Sequence, residues 1–452
     1  MIEFGLYFHL LVFLLIAGMF VVNKNMSMFH PLAFYLLFHG IVFVIRPFMV
    51  HYLKFDGRWT YMGFFPTEAQ FLMTLAVSSV ALVVFATASW WAGRADVNFA
   101  EARLPDFNSA QKRAFFWMAL MLAPLTLYSA LFAVQDVGYD TRGDIQMSVD
   151  LATGNTVYVN TTGYIVDAQT MLGSLAILFM WRFRFVWWTW APVVMFIAYR
   201  AFLGGGRWPM ITTIFTLILI QLFRTHKRWF RLRYLAIFVP IFILFQNVGF
   251  DRNYLRDIVG GGSVPVAEFR DERSWLQKQD NPDFANFEFL AFVLWAVPDQ
   301  SRTYIYFSQY LQIFTEPIPR ILWSEKPIGS PIKFFELNDF GNFVGLTVSL
   351  VGDGWLSLGW FGMIITLGLV GLFLGWLHRR FWANMMEPAK VLMYCVFLPL
   401  TVQWFRDGGI SIAKFALFTV LPVALWLGFT RFFMWLDRQR SLETVRMPAR
   451  RR

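Results

Sequence analysis

The sequence predicts an all-α, polytopic integral membrane helix bundle, a single domain over residues 1–452 with one large outer loop at 251–345. Three observations predict it. Of 452 residues, 57% are hydrophobic and 15% charged, and the mean hydropathy is +0.50; soluble domains of that length do not have this composition. Apolar runs of roughly 20 residues, the length that crosses a bilayer, recur along the chain. Basic residues crowd into alternate connections between those runs, as they do in polytopic membrane proteins.

About eleven runs qualify as spans, within a range of ten to twelve: 3–23, 30–50, 67–91, 114–135, 166–182, 185–204, 208–224, 232–250, 355–377, 388–405 and 411–435. Each must be helical, because lipid offers the backbone no other partner. Ile2 to Val22 has no basic start and no small-residue cleavage site, so it reads as a retained span. One set of alternate connections holds 14 basic residues: Lys24, Arg94, Arg103, Lys112, Arg113, Arg182, Arg184, Arg224, Lys227, Arg228, Arg231, Arg233, Arg379 and Arg380. The opposite set holds 5: Lys54, Arg58, Arg142, Arg207 and Arg406. The bias places the first set and the basic tail Arg438 to Arg452 inside, and the N-terminus outside. The formal charge of +10 has the same origin, so nucleic acid is not an expected partner. The lone Cys395 excludes a disulfide framework. The 6 histidines are scattered, which argues against a histidine-rich metal site; neither metal nor cofactor is expected.

The outer connections hold most of the unusual sequence. Segment 136–164 is rich in Gly, Thr and Asn and reads as irregular. Segment 251–345 is too long to lack structure of its own. Within it, Phe287 to Val297 is too short to span and is expected along the interface or against the bundle. Residues 303–314 are amphipathic and tyrosine-rich, which suits the water–lipid boundary.

Cations and glycines recur at the outer ends of spans. In AYRAFLGGGRWPM (198–210), Gly204, Gly205 and Gly206 precede Arg207, and Pro209 opens the next helix. A helix N-terminus beside a glycine turn and an arginine can seat an anion; the alternative is a plain hairpin with an interfacial arginine. Arg46 and Arg200 sit inside apolar runs, where a charge faces a cavity or snorkels. In DRNYLRD (251–257), a helix would put Arg252 and Arg256 on one face, either around an anion or as a solvated turn with Asp251 and Asp257. In PIPRILWSEKP (317–327), Pro319 and Pro327 stiffen a loop carrying Arg320 and Lys326. VGDGWLSLGWFGM (351–363) has glycines for close packing or a kink, and Asp353 is a candidate general base or cation partner. WFRDGGIS (404–411) puts Arg406 and Asp407 at a tight turn. No acid pair of the kind that holds a catalytic cation occupies an early outer loop. Arginines themselves are therefore the candidates to neutralise a diphosphate leaving group.

The GGGR turn, the PIPRILWSEKP loop, the VGDGWLSLGWFGM segment and the late RDGG turn resemble the Wzy-type polysaccharide repeat-unit polymerases of bacteria. The resemblance covers order and topology across most of the chain, with sequence agreement confined to these patches. It implies an inner-membrane glycosyltransferase with a periplasmic active face and the large loop in the periplasm. Such an enzyme transfers a growing glycan from undecaprenyl diphosphate to a lipid-linked repeat unit, alongside a chain-length regulator as partner. The family's periplasmic arginines map best onto Arg207, Arg320 and Arg406, and Arg46, Arg200, Arg252, Arg256, Lys326, Gly205 and Gly206 are candidates for substrate binding. An O-antigen ligase is the near alternative, although segment 251–345 lacks the histidine that ligases use there. A flippase or transporter is the alternative from another class; those tend to show internal repeats, and none is visible here.

Overall fold

The computed structural model describes residues 1–95, 97, 99, 106–138, 147–150, 155–158, 167–202, 208–230, 280, 284–315, 318, 323, 335, 337–341 and 347–446. In chain order the helices are α1 (Ile2–Val22), α2 (Pro31–Leu53), α3 (Gly57–Met62), α4 (Glu68–Ala92), α5 (Ser109–Gly138), α6 (Met171–Arg182), α7 (Ala191–Phe202), α8 (Trp208–Arg224), α9 (Asn286–Ala296), α10 (Ser308–Thr315), α11 (Ser349–Ala383), α12 (Pro388–Asp407) and α13 (Gly409–Arg446). Among the described residues, 7 of these are long and apolar enough to cross a membrane: α1, α2, α4, the first part of α5, α11, α12 and the part of α13 from Phe415 to Ser441. These are the features of a multi-pass membrane protein. The exposed side chains of α1, including Phe4, Leu11, Leu14 and Leu15, are then lipid-facing.

Among the described residues, seven of the eleven runs read in the sequence are helices of spanning length. The runs at 166–182 and 185–204 become α6 and α7, helices of 12 residues each, and that at 208–224 becomes α8, with 17 residues. Short 3-10 turns, Ala168–Thr170 and Trp187–Trp190, occupy the starts of the first two runs. The run at 232–250 lies outside the described residues. A second difference concerns 136–164. Helix α5 extends to Gly138, and two short strands, β1 (Met147–Asp150) and β2 (Asn155–Tyr158), pair antiparallel with Met147 opposite Tyr158. This ribbon is not irregular: Val149, Thr156, Val157 and Tyr158 supply the strand formers that the surrounding glycines and asparagines obscure.

Direct contacts sort the helix ends into two groups. At one end, the Met1 amino group pairs with Glu68 at 3.2 Å, Tyr52 donates to the Tyr7 hydroxyl, and Tyr199 donates to the Ala130 carbonyl. At the other, Met28 N–H donates to the Arg228 carbonyl, His378 Nδ1 to the Gly93 carbonyl, and Arg113 pairs with Asp437. Chain direction then places the described cations Lys24, Arg94, Lys112, Arg113, Arg182, Arg184, Arg224, Lys227, Arg228, Arg379 and Arg380 at the second end, and Lys54, Arg58 and Arg406 at the first. The alternation of charge read along the sequence becomes a separation in space.

The core of the bundle is the long seam between α4 and α11. Gly371 and Gly375 lie against Ala88, Ser89 and Gly93; a Cβ added at Gly375 would meet the Gly93 nitrogen at 2.8 Å. Small residues four apart permit this approach of backbones, which is how membrane helices associate without a hydrophobic driving force between them. Four of the 6 histidines, scattered in sequence, pair in space: His9 and His39 approach at 3.3 Å between their Nε2 atoms, and the rings of His30 and His378 lie 4.6 Å apart.

Helix α11 is two helices in one. Leu358 (φ −168°, ψ 41°) and Gly359 (φ 57°, ψ −135°) interrupt it, and the left-handed φ at position 359 suits glycine. The segment 349–357 folds back on the helix that follows, so that a Cβ at Gly354 would meet the Met363 Cα at 2.7 Å. The glycine-rich VGDGWLSLGWFGM pattern thus serves both a kink and a close approach. The interrupted carbonyls are not left bare: Ile305 N–H donates to Leu356 O at 2.9 Å and Tyr306 N–H to Ser357 O at 3.0 Å. Gly354→Ala is expected to force backbone apart at this fold and cost about 1–3 kcal/mol, read as a lowered Tm of the purified protein.

Candidate functional site

Asp353 lies on the half-helix 349–357 and is 3% exposed. Three donors hold it. Tyr310 OH donates to Oδ2 at 2.8 Å, Gly409 N–H donates to Oδ2 at 2.9 Å, and Gln309 Nε2 donates to Oδ1 at 3.2 Å. Tyr310 and Gln309 come from α10, whose other face leaves Leu311 and Phe314 exposed at 67% and 78%, so the amphipathic character expected for 303–314 is present. Burial, followed by the neighbouring Asp353 carboxylate, pushes the Tyr310 phenol far above its ordinary range; it therefore stays protonated and donating at any working pH. Gly409 is the first residue of α13, so the carboxylate also satisfies an N–H at that helix's N-terminus. Gly408, with φ +84°, makes the turn. Asp353 is thus the point on which the RDGG turn is hung. Tyr310→Phe leaves Oδ2 with one donor fewer and is expected to cost about 1–3 kcal/mol, measured as a loss of Tm with expression retained.

Arg406 lies in the last turn of α12, beside this turn. Its Nη1 donates to Asp407 Oδ1 at 3.0 Å, and its carbonyl accepts from Asn286 Nδ2 at 3.0 Å. Its guanidinium lies over the Trp208 ring, 5.4 Å from the centroid, in a cation–π arrangement. Trp208 opens α8 and directly follows Arg207 in the chain. Two of the stretches singled out in the sequence, GGGRWP and FRDGG, therefore meet through Trp208 and Arg406.

The second charged group is centred on Arg46, which is 2% exposed. Its Nε donates to Glu288 Oε1 at 2.7 Å, its Nη2 also meets Glu288, and Nη2 pairs with Asp280 Oδ1 at 2.5 Å. Arg58 adds a contact to Asp280 at 3.6 Å. The sequence left open a cavity or the interface for Arg46; its charge is instead met by two acids. Glu288 sits on α9, which packs buried against the bundle. Two residues earlier on α9, Asn286 reaches the Arg406 carbonyl and also the Thr347 carbonyl at 2.8 Å. So Arg46 clamps the helix whose start fixes the turn carrying Arg406.

Arg200 is buried in the last turn of α7, next to Tyr199 and within electrostatic reach of Asp167. Arg207, Arg320, Arg252, Arg256, Lys326, Gly205 and Gly206 lie outside the described residues. Sequence reading missed Glu288, Asn286, Gln309 and Tyr310. Glu288 had a signal: it is a lone acid in an apolar run, and a buried Arg46 requires a buried acid. Gln309 and Tyr310 had none, because a tyrosine-rich amphipathic stretch reads as interfacial wherever its partners lie.

Comparison with protein-family models, curated proteins and solved structures gives no match for this chain.

Proposed function

We propose that this chain is a polysaccharide polymerase of the bacterial inner membrane, working at the periplasmic face. In this reading it transfers a growing glycan from undecaprenyl diphosphate to the non-reducing end of a lipid-linked repeat unit. The observation that carries the reading is the seating of Arg406 over Trp208, the neighbour of Arg207, at the end of the bundle away from the crowded basic connections. Arginine suits a diphosphate because its planar fork matches two oxygens at once.

The step assigns each group a task. The acceptor hydroxyl attacks the anomeric carbon, the bond from that carbon to the diphosphate oxygen breaks, and the electron pair leaves with undecaprenyl diphosphate. The hydroxyl proton passes to the departing diphosphate or to water. Arg406, with Arg207 and Arg320, stabilises the charge that develops there. Asp353 was the candidate base; both its oxygens already accept hydrogen bonds, so its role in this mechanism is to position the turn of Arg406.

The test is polymerisation of an undecaprenyl-diphosphate repeat unit by the purified protein. A ladder of products that shortens or vanishes with Arg207→Ala supports the reading. Flipping of the substrate across proteoliposomes without new glycosidic bonds overturns it.

A further inference from the structure

We propose that the cavity between the α1–α2 connection and the end of α4 binds the phosphate ester of an anionic ligand at the basic end of the bundle. This site is independent of the polymerase reading and lies at the opposite end from Arg406.

The cavity has a volume of about 390 Å³, enough for a phosphate ester with its glycerol or sugar. Its polar lining comes from Asn23, Asn25 and Arg94, and Met26 and Trp90 supply an apolar wall. Among the described residues, no carboxylate contributes to the lining. Arg94 is exposed and among the described residues its guanidinium forms no ion pair. Asn25 N–H donates to Asn23 Oδ1 at 2.9 Å. That bond uses the acceptor of the Asn23 amide and leaves its two N–H donors for a ligand. A cation flanked by amide donors is a set that favours an anion.

The walls are fixed before any ligand arrives. Met26 N–H donates to Asn23 O at 3.0 Å and Met28 N–H to Arg228 O at 3.0 Å, so the connection is tied to the end of α8. On the other side, His378 Nδ1 donates to the Gly93 carbonyl at 2.9 Å, which ties the lip of α4 to α11. Arg228 also donates to the Lys24 carbonyl, bringing a second cation to the same corner.

The surroundings favour a lipid as the source of the phosphate. Val21, Val22 and Trp91 flank the cavity in sequence and are 60%, 82% and 66% exposed, an apolar rim at the end of two membrane helices. Basic pockets between helices at this level take anionic headgroups, and tryptophans mark the headgroup boundary.

The test uses the full-length protein purified in a neutral detergent. Its Tm is measured with added phosphatidylglycerol, phosphatidylcholine or inorganic phosphate, for the wild type, Arg94→Gln and Asn23→Leu. Phosphatidylglycerol is expected to raise the wild-type Tm by roughly 3 °C or more at saturation, phosphatidylcholine not, and both substitutions to remove most of the shift. An equal, Arg94-dependent shift from inorganic phosphate alone supports the site with a free phosphate as its source. Native mass spectrometry counts bound lipid in the same samples, so a variant that is itself less stable still reports on binding. Equal response to both lipids, or an undiminished lipid count in both variants, overturns the proposal.

Discussion

Replacing Arg46 by Met is expected to destabilise the protein by about 3–5 kcal/mol, the cost of leaving a buried carboxylate without its partner. Glu288 is 0% exposed and accepts from Arg46 through two nitrogens. With the cation removed, its charge has no water to turn to. The double variant Arg46→Met/Glu288→Leu should recover most of the loss, because apolar replacements of similar volume often match a buried ion pair. Asp280 keeps Arg58 in that variant. Thermal denaturation of the three proteins in one detergent reads the effect. A single variant as stable as the wild type would mean the pair is not what holds α9 in place.

Removing the guanidinium of Arg406 should lower the rate of polymer formation by about 10²–10³-fold, the usual effect of deleting one group that stabilises developing negative charge. Arg406→Ala is the variant, and glycan formed per enzyme in the purified assay is the measurement. Arg406→Lys should restore part of the rate, since lysine keeps the charge but not the fork. Asp407→Asn separates chemistry from folding: it removes the acid that Arg406 meets at 3.0 Å while keeping the arginine, and it should cost far less activity. A full rate in Arg406→Ala would take this residue out of the reaction.

The long spans were legible because burial in lipid demands an unbroken apolar run, and α1, α4 and α12 fall close to where such runs begin and end. Helices α6 and α7 were legible as helical but not in length: flanking tryptophans and phenylalanines keep the sequence apolar through 3-10 turns and loops, so composition overstates the helix. The break in α11 was visible as a choice between kink and close packing, and both occur. The Arg46–Glu288 pair joins residues far apart in sequence, and no local pattern encodes which distant acid a buried cation meets. For the same reason Asp353 was visible as an odd acid, while its three donors, drawn from α10 and the start of α13, were not.

The amides of Ile305 and Tyr306 close off the half-helix that ends at Ser357. The ribosome therefore finishes the cap before it makes the helix end that needs it. Without that cap the end of this buried half-helix would leave two carbonyls unpaired in the protein interior, at a cost of about 1–3 kcal/mol each. The kink of α11 is therefore tied to a stretch of chain made earlier, and a change at Ile305 or Tyr306 reaches the kink without altering a residue of either half.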